Sequence, residues 1–468
     1  MVECSFTFLR AIPLISMTDN QFSFHFVANS GAEKRAISYA STIYNLFDTV
    51  LSNKQPADRV IGQYFKEHKK HGSKDRRVIR ESLFGLFRWW GWIQHIGNYQ
   101  SPATFLQMLT IAAQLESHTW HDIRAAWLEF SDISNNAEIN INMLLAQSQT
   151  QDNDDVTSKL AQFHSISSLT NVTIDQLLPD WFWLHCQVAP TDKQSFIQAM
   201  TSRPPIWARA QNRSTQEVIA RLKQADIEAT PSKYFSDTLN LGYNSINLNQ
   251  VAAYTSGEIE IQDLASQVIG QTCHPQANSL WWDACSGAGG KSLQLYSLMQ
   301  QAGAEGRIVA SDIRRHALTE LQKRAKRAGF KRIEVAPWQG DVLPVASNYF
   351  DGVLVDAPCS CTGTWRRNPD MRWIDEVNAI SDKPALQLAI LSRSAAAVKP
   401  LGELVYATCS LASVENEGVV NAFLQANPHF ELETITHPFT QTQHSMLTVW
   451  PQQANSDGMF VAKMRRVK

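Results

Sequence analysis

From about residue 256 to its end the chain alternates short runs of branched and aromatic residues with longer amphipathic stretches. That rhythm restricts the possible folds more than any other feature. The runs 279–283, 307–312, 332–336, 350–356 and 402–408 read as buried strands. Between them, 289–302, 314–328 and 382–398 read as helices. Strands separated by helices lie parallel in one sheet, joined by right-handed crossovers. The expected class is a multidomain protein whose C-terminal part is α/β, a doubly wound Rossmann-like sheet. The segments 430–436 and 459–466 read as two further strands, an edge hairpin.

Upstream the rhythm is helical. Residues 33–130 carry apolar positions at three- and four-residue spacing, through Ile37, Ala40, Ile43, Tyr44, Phe47 and Leu51 and again from Val78 to Ile93. Pro56 and Pro102 lie near expected helix starts, and Gln151–Asp155 reads as a loop. Helical signals return over 171–200, broken at Pro179 and Pro190. Arg203–Arg209 reads as a strand, 215–226 as a helix and 238–248 as short strands, together a small α+β module. The expected division is an N-terminal extension (1–30), an all-α domain (31–165), a helical linker with the small module (166–255) and the α/β domain (256–468).

With 468 residues, 44% hydrophobic and 18% charged, the chain is globular rather than disordered. A net charge of −2 means that a polyanionic partner must be met by local patches. Seven scattered cysteines argue against a disulfide framework and for a reducing, cytoplasmic location. Cys359-Ser360-Cys361 is too tight for a zinc site and lacks companion ligands, so no metal is expected. No apolar run approaches a membrane span. Glu3 and Arg10 interrupt the apolar start, which reads as a short extension and not a signal peptide. A monomer is expected.

Asp283-Ala284-Cys285-Ser286-Gly287-Ala288-Gly289-Gly290-Lys291 joins the first strand of the α/β domain to its helix. Glycines allow close backbone approach to a ligand, and the N–H groups at the helix start face it. Asp312 ends the next strand, Asp341 follows the third and Asp356 the fourth, so with Asp283 four carboxylates share one sheet edge, where open α/β sheets bind ligands. The pattern suits a nucleotide-type cofactor. The lysine-threonine spacing of a phosphate loop is missing, which disfavours ATP, while NAD stays open.

Cys4, Cys186, Cys273 and Cys285 read as apolar fillers. Cys359 and Cys409 differ, because both directly follow strands at the carboxyl edge. Pro358 fixes the backbone before the first. Thr362-Gly363-Thr364 and Arg366-Arg367-Asn368-Pro369-Asp370 read as an ordered, cationic loop over the site.

In order along the chain come Gln262-Asp263-Leu264-Ala265-Ser266, the glycine turn, Asp356-Ala357-Pro358-Cys359-Ser360, the Arg366–Asp370 segment and Tyr406-Ala407-Thr408-Cys409-Ser410. Together they resemble the RsmB-like (Fmu/Sun) branch of the S-adenosylmethionine-dependent RNA 5-methylcytosine methyltransferases. Asp75–Arg88 is similar, more weakly, to the NusB-like RNA-binding domain of that branch. Two departures stand out: Ala288 where the family usually has proline, and Cys361 where it usually has glycine. Cys361 is expected to play no part.

The resemblance implies an RNA cytosine-C5 methyltransferase acting on ribosomal RNA, with S-adenosylmethionine as cofactor. It implies Cys409 as nucleophile, Cys359 in release and Asp356 at the N3 edge of the base. Cys285, Ser286, Gly287, Ala288, Gly289, Gly290 and Lys291 would surround the methionine portion of the cofactor, Asp312 its ribose and Asp341 its adenine. Without the resemblance, the choice between the thiols stays open, and Lys291 reads equally as a surface lysine. Arg366, Arg367, Arg203 and Arg209 are the candidate RNA contacts, with Trp207 for stacking. Two basic clusters, Lys66–Arg80 and Lys323–Arg332, read singly as solvated helix faces. The alternatives are a non-catalytic RNA-binding or ribosome-assembly factor and an NAD-dependent dehydrogenase.

Overall fold

The computed structural model describes residue 24, residues 26–131 and residues 155–468. Cys4, most of the N-terminal extension and residues 151–154 of the expected loop lie outside them. Asp155 instead caps a helix, its carboxylate accepting from the backbone N–H of Thr157 and Ser158.

The helical expectation resolves into the helices Gly31–Asn53, Ala57–Glu67, Ser73–Ile93, Pro102–Leu115 and His121–Phe130, followed by Val156–Ser167. Pro56 precedes the second helix and Pro102 opens the fourth, positions where a missing N–H costs nothing. Phe47 packs on Phe87 and Trp90 with ring centroids 4.7 and 4.8 Å away, so the helices meet over an aromatic core.

Next comes a small antiparallel sheet of β1 (Trp207–Ala210), β2 (Thr230–Pro231), β3 (Thr238–Asn240) and β4 (Ile259–Ile261), in the order β2-β3-β1-β4. Its helix, Thr215–Lys223, ends short of the predicted 226. The strand signal over 238–248 yields only β3, because Gly242 turns the chain with a left-handed φ of +71°. β4 lies beyond the expected boundary at 255 yet pairs with β1, Ala208 opposite Ile261 and Ala210 opposite Ile259.

The second sheet holds β5 (Leu280–Asp283), β6 (Arg307–Ala310), β7 (Ile333–Val335), β8 (Phe350–Asp356) and β9 (Val398–Thr408). Beyond a two-stranded ribbon of β11 (Ile435–Thr436) and β12 (Gln443–His444), it is completed by β10 (Phe430–Leu432), β13 (Met446–Val449) and β14 (Met459–Arg466). The order is β10-β14-β9-β8-β5-β6-β7, with β13 also on β14. β5 to β9 run parallel, as expected, and β14 is antiparallel to β9. β10 and β14 do pair, but β14 is an interior strand rather than part of an edge hairpin. β9 starts before the predicted 402, bulging opposite Phe350–Gly352. From β5 the chain runs outward to β7, then returns to β8 on the other side of β5. The switch in direction opens a crevice at the carboxyl ends of β5 and β8.

The helical region and the α/β domain share one apolar core. Trp365, Ile374, Ile380, Leu411 and Ala412 are buried with the N-terminal helices. The Arg366–Asp370 segment runs along this seam. Asp370 accepts from the N–H of Ala57 (2.7 Å), capping an N-terminal helix, and Trp373 donates to Phe87 O (2.7 Å). Arg372 is fully buried against the carbonyls of Leu177, Met200 and Trp365. No helix among the described residues is long and apolar enough to cross a membrane.

Candidate active site at the carboxyl edge of the sheet

β8 and β9 are parallel neighbours, so the residues that follow them emerge side by side. Cys359 Sγ lies 3.3 Å from Cys409 Sγ. Both thiols are half-buried, whereas Cys186 and Cys273 are buried in the core as expected. Cys361 joins them: its Sγ lies 3.5 Å from Cys359 O, and the three Sγ atoms lie within 4.8 Å of one another. The sequence offered Cys359-Ser360-Cys361 no companion ligand; the fold supplies one from β9. Hydrogen bonds from Cys359 and then Cys409 favour the Cys361 thiolate and hold it below the ordinary thiol range. Cys359 is raised by its bonds with Cys361 and Cys409 and by burial. The bond from Cys359 favours a Cys409 thiolate, but Cys361 and burial outweigh it and push Cys409 up to about 12.

Beneath the thiols is a carboxylate that sequence reading missed. Glu415 is fully buried, accepting from Ser360 N (2.9 Å), Ser360 Oγ, Ser410 Oγ (2.7 Å) and Gln387 Nε2 (2.9 Å). It ties the residue after one thiol to the residue after the other. A short acidic loop six residues past Cys409 was its only signal, and nothing local pointed it inward. Gly363 N–H donates to Cys409 O (2.9 Å), closing the second loop on the first.

Lys291 is not a surface lysine. It is buried, with Nζ 2.7 Å from Asp356 Oδ2. Burial opposes its charge, yet Asp356 holds its pKa above the ordinary value. Burial also raises Asp356 despite Lys291, with Cys409 adding to the effect. Burial pushes Asp283 up to about 7, partly offset by the Ser292 hydroxyl at 2.6 Å. Asp312 accepts from Gly287 N (2.9 Å) and from the Arg314 guanidinium. Although burial raises it, those bonds keep Asp312 below the ordinary carboxylate value.

The turn from Cys285 to Ala288 is half-buried. Gly289 has φ +86°, and a Cβ there would overlap Leu321, so only glycine fits. Ala288 O accepts from Arg324 (2.6 Å), which pins the turn where the family proline is missing. Asp341 is exposed and paired with Arg393 at 2.8 Å. Two apolar side chains that sequence reading passed over, Ile313 and Val342, stand exposed next to Asp312 and Asp341. Their signal was an apolar residue directly after each strand-end acid.

The four arginines divide. Arg366 is buried, bonded to Ser202 O and Oγ, Arg203 O, Ser456 O and Asn455. Arg209 is fully buried between Gln262 (3.2 Å) and Gln211 (3.1 Å). Arg366 is spent on these acceptors and Arg209 is wholly enclosed, so neither guanidinium is free to grip RNA. Trp207 is buried and donates to Asn455 O. Arg367, Arg203 and exposed Arg80 of the helical region line an open cleft of about 490 Å³, whose wall also includes the already bonded Arg366. In the second basic cluster, Arg324 and Arg327 are committed to Glu260 at 3.1 and 2.9 Å.

A profile of the 16S rRNA methyltransferase RsmB/F family matches residues 270–465. "Ribosomal RNA small subunit methyltransferase B" of Klebsiella pneumoniae (strain 342) is 31% identical over 293 residues, 62% of this chain and 66% of that protein. Its counterpart in Shewanella oneidensis is 31% identical over 299 residues, 62% of this chain and 68% of that one. The chain belongs to the RsmB/F branch of the S-adenosylmethionine-dependent RNA methyltransferases. It spans about two thirds of the length of these relatives. They do not favour the dehydrogenase or non-catalytic readings. Among solved structures, PH0851 aligns with a TM-score of 0.68 at 21% identity over 94% of this chain and all of that one. NSun6 from Pyrococcus horikoshii, solved with SFG, aligns at 0.52 and 18% identity over 59% of this chain and 95% of that one. At these identities both speak for the fold alone: a Rossmann-like sheet preceded by a helical region.

Proposed function

We propose that this RsmB/F chain methylates C5 of a cytidine in small-subunit ribosomal RNA. The observation that carries the reading is the 3.3 Å approach of Cys359 and Cys409 beside the Lys291–Asp356 pair. Cytosine C5 is a weak nucleophile. A thiolate adding to C6 makes C5 enamine-like and able to take a methyl group; loss of the C5 proton then allows the thiol to leave. S-adenosylmethionine, when bound, supplies the electrophilic methyl. The residues fit such a group: a half-buried turn that only glycine can make at 289, flanked by the carboxylates of Asp283, Asp312 and Asp356 at successive strand ends. Cys285–Lys291 would hold its methionine end, Asp312 the ribose and Asp341 the adenine end, with Ile313 and Val342 offering apolar surface to the ring.

Cys409 is the proposed nucleophile and Cys359 the group that assists release. Asp356, which burial favours protonating while Lys291 opposes it, would contact the N3 edge of the base as charge builds on the ring. The target base must leave its stack to reach this pocket. Arg367 and Arg203 would hold the flanking backbone along the cleft, with Arg80 contributing from a NusB-like helical domain (31–165) and the small module (166–255) presenting the strand to the α/β domain (256–468). Free thiols suit a cytoplasmic enzyme.

The test is nucleoside mass spectrometry after incubating the protein with S-adenosylmethionine and unmodified ribosomal and transfer RNA. New 5-methylcytidine in small-subunit rRNA is expected; a different methylated nucleoside would discard the cysteine mechanism. Cys359→Ala should accumulate a protein–RNA adduct that survives denaturing gels, and Cys409→Ala should not. The opposite pattern would exchange the two roles.

A further inference from the structure

Two thiols complete the chemistry above, yet three occupy the pocket. We propose that Cys359, Cys361 and Cys409 form a three-thiolate site for a thiophilic cation such as Zn²⁺, whose occupancy silences the enzyme. The sulfur geometry suits it. Zn–S bonds of about 2.3 Å in a tetrahedral set place sulfurs roughly 3.8 Å apart. Here one pair lies at 3.3 Å and all three atoms within 4.8 Å, which brackets that spacing.

The site is also built rather than accidental. Glu415 fixes the loops of Cys359 and Cys409 to each other through Ser360 and Ser410. Cys361 sits between them with a left-handed φ of +59°, a conformation that costs a non-glycine residue about 1 kcal/mol or more. All three thiols are half-buried, open enough for an ion to enter and dry enough for it to be held. Three thiolates around a divalent ion carry one net negative charge, small enough for a half-buried pocket that opens to solvent. A fourth coordination position is left for water. Sulfur donors select Zn²⁺ or Cu⁺ over Mg²⁺ and Ca²⁺. Binding releases the thiol protons to solvent, and the ion ties up the thiols proposed to act on the base. Only this inhibitory part rests on the proposed methyl transfer.

The experiment is a Zn²⁺ titration of the reduced full chain against a chromophoric chelator, without oxygen, with alkylation mapping of the protected cysteines. One equivalent should bind and protect Cys359, Cys361 and Cys409 together. Cys361→Gly, which suits the left-handed backbone, should weaken binding at least tenfold. It should keep its melting temperature and its methyl transfer while escaping Zn²⁺ inhibition; Cys361→Ser is the second variant. Equal Zn²⁺ affinity in wild type and both variants, or protection of other cysteines, would overturn the proposal. One-equivalent, Cys361-dependent binding without any methyl transfer would uphold the site and remove the activity reading instead.

Discussion

The thiol pocket and the seam along residues 365–374 are both rich in polar groups, and they use them in opposite ways. In the seam Arg366, Arg372 and Asp370 are buried, and each is bonded to groups from distant parts of the chain. Their charge is spent inside, holding the helical region against the catalytic sheet. In the pocket Cys359, Cys409, Lys291 and Asp356 are packed close but bond chiefly with one another, and the thiols remain half-open. The difference teaches where reactivity resides: a polar group enclosed by its own chain is held in place, while one left half-open keeps a partner position for substrate.

The comparison can be broken most severely at the pocket. Cys409→Ala should lower methyl transfer by about 10³-fold or more with little change in melting temperature, read by nucleoside mass spectrometry and calorimetry. Arg366→Ala should do the reverse. It strands buried acceptors on Ser202, Arg203 and Ser456, so unfolding in urea should show a loss of about 3–5 kcal/mol. Retained stability there would deny the seam its structural role. Glu415→Gln tests the join between the two regions: misplacing the thiols should reduce kcat about 10²-fold while KM for the cofactor holds.

A gentler effect concerns pH. Burial raises Asp370 to about 6 from an ordinary carboxylate value of 3.8. The folded state therefore binds the proton more tightly. The associated stability is present below pH 3.8 and is lost as the pH rises through 6. Asp370→Asn, which still accepts from Ala57 N–H, should thus be more stable than wild type at pH 7.5, by roughly 1–3 kcal/mol. The two should converge near pH 4. The smallest effect is expected from Arg367→Lys. Lysine keeps a positive charge beside the fully buried Asp457 but loses the planar fork of the half-exposed guanidinium, so KM for RNA should rise a few-fold.

Much of this was legible in the chain. The strands β5 to β8 fall within a residue or two of their expected places, because branched apolar runs bounded by turns have few other outcomes. The glycine turn and the thiols after β8 and β9 were equally visible. Arg366 and Arg367 were not separable: adjacent and chemically alike, one is buried and the other half-exposed. β4 was missed as part of the small sheet, because three residues carry no signal of which sheet they will join.

By itself the sequence determined the parallel sheet, the glycine turn and the presence of two thiols at one sheet edge, since periodicity and turn chemistry act over a few neighbouring residues. Only the tertiary structure decided that Cys361 completes a triangle, that Glu415 supports it and that the seam consumes Arg366. Those outcomes depend on atoms brought together across separations of about 50 to 160 residues. Desolvation then separates a buried, satisfied group from an open one, and no local pattern encodes that distinction.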